Sequence, residues 1–407
     1  MKRKTLLIVT LLLMAIGGWA QRVVVSGTVV DADTREPVGG ASVAMGSLAV
    51  VTNDDGFFTL KSHAAGDELV VSHLGYASRL IVLAEQSDGP LLIALRPAAI
   101  RLQEVLVMGG DARQLVLAAI ERIPGNYSRE PELYHCFYRE KVMKRQSYIS
   151  VAEGVVDMYK TGYRRPVVHD RTAIRKGRRL MSQKASDTLG VKVMGGPNYA
   201  VKLDVVKNDE FLLDADELDL YELKMEVPTT IADRPQYVVS LAPRLTADYA
   251  LYYGRLYIDQ ETLAFTRAEL ELDMRDLLKA TRALLVKKPV GLRFRPKEMS
   301  LVVDYRTGAD GLTRISYLRT TMRFNCDWRR RLFATSFTAF CEMAVTNITS
   351  GADVQPIRGR GSFDQHDAFF DKVDYFRDPA FWEDYNIIEP TESLDKAIDR
   401  LLKKRFF

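Results

Sequence analysis

The chain has 407 residues, of which 47% are apolar and 27% charged, and this ordinary globular composition excludes a disordered or low-complexity protein. Its length suffices for two or three packed domains. The formal charge is +4, and it falls to +1 if Lys2, Arg3 and Lys4 are removed with the first 20 residues, leaving 57 − 3 = 54 basic against 53 acidic residues. A balance this even argues against a nucleic-acid partner.

Residues 1–20 have the pattern of a secretory signal peptide. Three basic residues precede an apolar run at 6–16, and the small residues that follow predict cleavage after Ala20. The apolar run is shorter than the roughly 20 residues that a membrane-spanning helix needs. The mature chain is therefore expected to be exported, without a transmembrane helix, and the absence of a cysteine near residue 20 argues against a lipid anchor at the cleavage point.

Residues 21–97 read as seven short strands separated by turn clusters, which predicts a seven-stranded antiparallel β-sandwich. Within it, VTNDDGFFTL (51–60) places two carboxylates beside Gly56. A calcium loop would need a ladder of acidic residues ending in Glu at its twelfth position, and that position, counted from Asn53, is Ala64. The pattern predicts a hairpin turn from Asn53 to Gly56 that leads into a buried Phe57 or Phe58, and no metal site.

Residues 98–131 are expected to link two domains through one β-rich segment and one helix. The helix would begin after Asp111, with Gln114 as its capping partner, and stop at Pro124 and Gly125. Residues 132–362 then predict a larger, mostly antiparallel β domain, and residues 363–407 a tail with an amphipathic helix. The fold class is thus mainly β.

The chemical motifs of common enzymes are missing from the sequence. There is no Gly-x-Ser-x-Gly element, phosphate loop or zinc-binding His pair, and His135 and Cys136, being adjacent on a strand, should point to opposite faces. We therefore predict no catalytic residues and no cofactor.

Of the three cysteines, Cys326 and Cys341 could form a bridge only if residues 328–331 are not a hairpin turn, because a hairpin places Cys326 opposite residues 333–335.

A basic block is the strongest candidate for a contact with an anionic surface such as a lipid or glycan. Its candidate residues are Arg164, Arg165, Arg171, Arg175, Lys176, Arg178 and Arg179. The alternative is that these bases pair with the acidic block at 204–226. A second candidate is Thr188, which lies in a DTL triplet that resembles an O-glycosylation acceptor of Bacteroidetes envelope proteins.

Three ordered segments resemble the carboxypeptidase regulatory-like domain family, a transthyretin-like β-sandwich of exported Bacteroidetes-type proteins. They are VSGTVVDADTREPVGGASV (25–43), VTNDDGFFTL (51–60) and GDELVVSHLGYAS (66–78). The resemblance implies a fold and an extracytoplasmic setting, and it does not imply peptidase activity.

The remainder is similar to an uncharacterised β-rich domain that follows this sandwich in envelope proteins, through segments such as FYREKV (137–142) and GRLYIDQETLAF (254–265). We therefore expect a non-enzymatic interaction or structural module at the periplasm or outer membrane, with an envelope protein or outer-membrane component as partner. One alternative is a half-barrel carrier of a lipid or other apolar ligand, lined by strands at 254–272 and 298–324. A hydrolase of unknown class is the third hypothesis.

Overall fold

The computed structural model describes residues 23–62, 68–83, 89–98, 111–182, 195–208, 211–288, 290–328, 334–359, 362–364, 366–375 and 381–403. Three predictions lie outside these residues: the signal peptide at 1–20, nearly all of the β-rich segment at 98–110, and the glycosylation candidate Thr188.

The N-terminal domain has the predicted seven strands in two packed sheets. One sheet has the order β4-β1-β7 and the other β3-β2-β5-β6. The strands are β1 Val23–Asp31, β2 Ser42–Met45, β3 Leu48–Val51, β4 Phe57–Ser62, β5 Glu68–Ser72, β6 Arg79–Val82 and β7 Leu91–Leu95. The sandwich is confirmed, with one departure from the antiparallel expectation: β1 and β7 pair in parallel, so the three-stranded sheet is mixed while the four-stranded sheet is antiparallel.

The segment Asn53–Gly56 is a tight turn, as predicted. Asn53 Oδ1 accepts hydrogen bonds from the backbone N–H groups of Asp55 (3.0 Å) and Phe57 (2.9 Å), and Gly56 adopts φ +74°. A side chain at Gly56 would also collide with the Val29 carbonyl, so only glycine fits there. Of the two phenylalanines, Phe58 is the fully buried one.

The large domain is one open sheet in the order β11-β12-β13-β14-β15-β16-β17-β8-β9-β10-β18. Neighbouring strands within this sheet are antiparallel, except for the short parallel pair β10–β18. The strands are β8 Glu132–Lys144, β9 Ser147–Lys160, β10 Arg171–Met181, β11 Tyr221–Ile231, β12 Arg234–Pro243, β13 Tyr252–Asp259, β14 Phe265–Leu272, β15 Leu292–Thr307, β16 Thr313–Trp328, β17 Thr335–Thr349 and β18 Asp374–Tyr375.

Six α-helices lie among the described residues. They are α1 Ala112–Asn126, α2 Gly196–Lys202, α3 Ala215–Leu218, α4 Leu277–Leu284, α5 Phe369–Lys372 and α6 Glu392–Lys403. Asp111 caps α1 as predicted, by accepting a hydrogen bond from Arg113 N. The helix does not stop at Pro124 but continues to Asn126, because a proline this close to the end removes only one helical hydrogen bond.

One face of the large sheet is covered by α1, α2 and α5, and we call it the helix-covered face. Leu270, Leu301 and Met343 lie on it, and they share a single core with Val116 and Ala119 of α1. Close contact is possible because β9 has a glycine there: a Cβ at Gly154 would lie 2.6 Å from the Phe369 ring of α5.

The opposite face is covered by the sandwich and the C-terminal segment, and we call it the sandwich-covered face. Phe137, Val155 and Ala344 form a cluster there with Val51 of the sandwich and with residues of 381–388. The predicted C-terminal helix, α6, packs beside them through Leu394 and Ile398. No helix among the described residues is long and apolar enough to cross a membrane.

Candidate functional site

The predicted basic block divides into an exposed part and a part used within the fold. Arg164, Arg165 and Arg171 are exposed at the loop that precedes β10 and at its first residue. Arg171 Nη1 donates a hydrogen bond to the Asp170 carbonyl (2.8 Å), which leaves most of its guanidinium accessible. These three are the members available to an external anion.

The other four members of the block lie along β10 and contact the protein itself. Arg175 pairs with Asp157, and Arg178 Nε donates to Glu153 Oε2 (2.9 Å). Lys176 Nζ lies 4.2 Å from the centre of the Phe381 ring, and Arg178 Cζ lies 4.9 Å from that of Trp382, so both form cation–π contacts with the C-terminal segment. Arg179 pairs with Asp371 at 3.9 Å.

The helix-covered face is the surface that a half-barrel carrier would use for its ligand. Its strand residues are instead packed against the chain's own helices and against residues 200–221. Leu256, Ile258 and Leu301 are at most 1% exposed, and so is Val116 of α1. In this structure the side chains predicted to line a cavity form part of a packed core.

A buried ion network lies at the centre of the sandwich-covered face. Arg139 Nε donates to Glu153 Oε1 (2.7 Å), its Nη1 lies 3.4 Å from Glu342 Oε1, and its Nη2 donates to the Ile388 carbonyl (2.6 Å). Lys141 Nζ lies 3.2 Å from the same Glu342 oxygen. Burial alone would raise the pKa of Glu342, but the charges of Lys141, Arg139 and Arg319 outweigh it and lower the pKa to about 2.

A second buried glutamate, Glu140, points to the helix-covered face and has no cationic partner within the part of the chain that the structure describes. Its one side-chain hydrogen bond there comes from Tyr138 Oη (2.8 Å), which in turn accepts from Cys341 Sγ (3.1 Å). Burial raises the pKa of Glu140 to about 8, and the nearby Asp371 adds to the effect. At neutral pH this carboxyl is therefore mostly protonated.

Two lysines and two aspartates form a third buried cluster where β9 ends. Lys160 pairs with Asp204, Lys207 Nζ donates to Asp170 Oδ1 (2.6 Å), and Tyr305 Oη donates to Asp204 Oδ1 (2.8 Å). All four charged side chains are at most 2% exposed. This is not the pairing of the two blocks that the sequence left as an alternative, because both bases lie outside the predicted basic block and only Asp204 comes from the acidic one.

His135 connects a hydroxyl and a carboxylate on the sandwich-covered face. Its Nδ1 lies 2.8 Å from Asp157 Oδ1 and its Nε2 lies 3.0 Å from Thr349 Oγ1, which is the order of groups in a hydroxyl–imidazole–carboxylate triad. Asp157 also pairs with Arg175. Cys136 lies in the core of the other face, so the predicted separation of His135 and Cys136 is confirmed.

The three cysteines are all buried thiols. Cys326 faces Thr335 across the β16–β17 hairpin and Cys341 faces Thr320, so the two are not bridged. Burial raises the pKa of Cys136 and Cys341 well above its usual range and that of Cys326 to about 11. Within the described part of the chain, no group of three or more His, Cys, Asp or Glu side chains could hold a metal ion.

The sandwich carries a surface pocket of about 590 Å³ beside its β1 turn. Three arginines line it, Arg35, Arg79 and Arg96, together with Asp33 and Ser78. Arg79 Nη1 is held by the Ala94 carbonyl at 3.1 Å. No single motif of the sequence marks this pocket, because its lining comes from three separate segments, at 32–35, 77–79 and 94–96.

Comparison with known proteins identifies the N-terminal domain. Residues 25–107 match the model of the CarboxypepD_reg-like domain. No curated protein matches the chain by sequence.

Several solved structures of β-rich proteins show weak similarity to the chain. A DUF1329 family protein from Desulfovibrio piger is 10% identical, covers 60% of this chain and 95% of its own, and has a TM-score of 0.26. A LolA superfamily protein from Nitrosomonas europaea is 10% identical over 57% and 94%, with a TM-score of 0.18. A putative membrane-associated protein of unknown function from Bacteroides fragilis is 10% identical over 81% and 99%, with a TM-score of 0.15. Likenesses this weak carry no argument about function.

Proposed function

Starting from a chain whose residues 25–107 match the CarboxypepD_reg-like domain, we propose that this is a non-enzymatic, exported cell-envelope protein. It acts as an interaction or structural module at the periplasm or outer membrane, after removal of residues 1–20. The observation that carries the proposal is the packed helix-covered face of the large sheet, which leaves the external surfaces as the sites of action.

A carrier of apolar ligands needs an accessible cavity, usually of about 300–1,000 Å³, lined by apolar side chains. The strands that would line it supply Leu256, Leu270 and Leu301, each about 1% exposed or less and covered by helices of the same chain. Displacing α1 would expose Val116 and Ala119 to water as well as the strands. The packed face therefore favours a module that binds through its outer surface.

The contacts between the domains support a rigid module. Asp54 of the sandwich turn forms two hydrogen bonds with Arg319 of β16 (2.7 and 2.9 Å). Lys61 exchanges backbone hydrogen bonds with the Asn386 side chain, accepted at 2.9 Å and donated at 2.7 Å. The sandwich, the large sheet and the C-terminal segment are thus joined by directional contacts as well as by apolar packing.

Native mass spectrometry of the protein purified from the cell envelope tests the proposal against the carrier alternative. We expect the mass of the polypeptide alone, and no saturable binding of an apolar fluorescent probe. A Val116→Ala variant is the matched test, because a loosened α1 should increase probe uptake if α1 is a lid over a ligand site. An apolar ligand that co-purifies and stays bound in high salt, or saturable uptake that rises in the variant, would reject the interaction module.

The hydrolase hypothesis is supported by one observation, the contact of His135 with Asp157 and Thr349. A panel of ester and peptide substrates compared between the wild-type protein and Thr349→Val decides it. The proposal predicts equal, background rates for both proteins. The contrary result is a substrate that is turned over by the wild-type protein and by Cys136→Ala but not by Thr349→Val. That result would establish a catalytic hydroxyl and overturn the non-enzymatic assignment.

A further inference from the structure

Residues 275–297 form a second strongly basic segment of the large domain and also expose several aliphatic side chains. They contain eight lysines and arginines but a single acidic residue, Asp276. This acid caps α4 by accepting hydrogen bonds from Leu278 N (2.9 Å) and Lys279 N (3.2 Å), so it is held at the helix start. We call residues 277–288 and 290–297 the basic-aliphatic segment.

Three aliphatic residues of this segment point away from the protein. Ala280 is the buried residue of α4, and Leu278, two positions earlier and on the opposite side of the helix, is 74% exposed. Val286 and Val290, which follow the helix, are 79% and 98% exposed. Soluble surfaces scatter single exposed aliphatic residues, whereas three such protruding side chains within 13 residues indicate a contact with an apolar phase.

Five bases of the segment have no acidic partner among the described residues, whereas Lys279 pairs with Asp276 at 4.0 Å. Within the part of the chain that the structure describes, no ion pair is formed by Arg282, Lys287, Arg293, Arg295 or Lys297, and all five residues are exposed. On β15 the exposed Arg293 and Arg295 alternate with Leu292 and Phe294, which pack into the hydrophobic cluster at this end of the sheet. The segment therefore presents a positive charge that the fold itself does not use.

We propose that the basic-aliphatic segment is a binding surface for an anionic lipid bilayer. The bases would contact phosphate headgroups, while Leu278, Val286 and Val290 would enter the boundary between headgroups and acyl chains. An anionic bilayer fits this surface better than an acidic protein does, because the exposed apolar side chains are aliphatic and protrude from the surface. Aliphatic anchors of this kind insert into lipid. Protein hot spots, in contrast, are enriched in aromatic and arginine anchors that fill pockets.

Sedimentation with vesicles tests the proposal, using the chain without residues 1–20 so that this apolar segment contributes nothing. We expect binding to vesicles of phosphatidylcholine mixed with phosphatidylglycerol, little binding to phosphatidylcholine alone, and release by salt. Replacing both Arg282 and Lys287 with Gln should weaken partitioning about 25-fold, since each base near an anionic surface contributes about fivefold. Replacing both Leu278 and Val286 with Ser should weaken it about tenfold.

The matched control replaces Arg164 and Arg165 with Gln, because these two exposed bases belong to the block predicted from the sequence. It should bind as the wild-type protein does, and thermal unfolding should show that every variant is folded. Absence of binding to anionic vesicles at low salt would reject the proposal. An equal loss of vesicle binding in the control would also reject it, because it would indicate a diffuse charge effect. Tight binding of an acidic protein without any vesicle binding would reject it as well.

Discussion

Arg139 and Glu342 face each other in register across β8 and β17, with Nη1 and Oε1 3.4 Å apart and both side chains nearly inaccessible to solvent. One position further along, Glu140 faces Cys341 in the same register but on the other side of the sheet. Two neighbouring strands that are buried on both faces thus hold an ionised glutamate, Glu342 of β17, on one face and a protonated glutamate, Glu140 of β8, on the other. The difference comes from the cations beside each carboxyl, because Arg139 and Lys141 contact Glu342, while no cation among the described residues pairs with Glu140.

Glu342→Gln should destabilise the protein by about 3–5 kcal/mol at neutral pH, because it leaves Arg139 and Lys141 buried without their full charge partner. A fall of the pKa from the ordinary 4.5 to about 2 corresponds to roughly 3 kcal/mol, which agrees with that range. Since the folded pKa is the lower one, this stability is present above about pH 4.5 and lost as the pH falls toward 2. Urea unfolding at pH 7 and pH 3 measures it, and the difference between variant and wild type should shrink at pH 3.

Glu140→Gln should have the opposite effect on stability. The folded pKa of Glu140 is raised to about 8, so the folded state binds more protons than the unfolded state between about pH 4.5 and 8, and stability falls as the pH rises through that window. A neutral amide retains the acceptor for Tyr138 and removes the cost of keeping the carboxyl protonated, which is about 3 kcal/mol at pH 7. The variant should therefore be more stable at pH 7 and nearly equal at pH 4.5. Equal destabilisation at both pH values would contradict the assignment of a buried neutral carboxyl.

The thiols provide a test of burial and of the missing bridge. We expect a thiol reagent such as DTNB to react slowly with the native protein, because Cys136, Cys326 and Cys341 are buried and their raised pKa values leave little thiolate at pH 8. After unfolding in guanidinium without a reductant, all three should react. If only one thiol per chain reacts after unfolding, two of the cysteines are bridged.

Several features of this fold could be predicted from the sequence because they depend on local patterns. The seven strands of the sandwich follow from turn clusters at short intervals, and α6 follows from Leu394, Ile398 and Leu401, which share one helical side and are buried. The turn at Asn53 was predictable because an Asn side chain bonds its own backbone. The parallel pairing of β1 with β7 was not, since it joins strands about 65 residues apart and no local pattern records it.

The buried ion networks could have been found only in part. Arg139, Glu140 and Lys141 stand in the middle of an apolar strand, YHCFYREKVM, and charged residues there signal partners elsewhere in the fold. Which partner belongs to which residue depends on the pairing of β8 with β17, some 200 residues later. The second half of the basic block at 164–179 has contacts that its local sequence does not record either, since Arg178 is buried against Glu153 and Trp382.

The hairpin turn at Asn53–Gly56 also has a role that its local pattern does not reveal, since it connects the sandwich to the rest of the protein. Asp54 binds Arg319, Asp55 Oδ2 accepts a hydrogen bond from Glu392 N (2.7 Å) at the start of α6, and Asn53 Nδ2 donates to the Pro390 carbonyl (2.9 Å). Both acidic residues of the turn therefore have partners within the fold.

A double-mutant cycle measures this connection. Asp54→Ala and Arg319→Ala should each reduce the free energy of unfolding by about 1 kcal/mol or less, because Asp54 is half exposed and solvent screens the pair. The coupling energy of the two substitutions should be about 0.5–1 kcal/mol, and it should fall in high salt. Glu298 and Arg323, an exposed pair on the same sheet at 3.3 Å, serve as the control with a smaller coupling. A coupling of zero for Asp54 and Arg319 would mean that the turn does not hold the sandwich against the sheet.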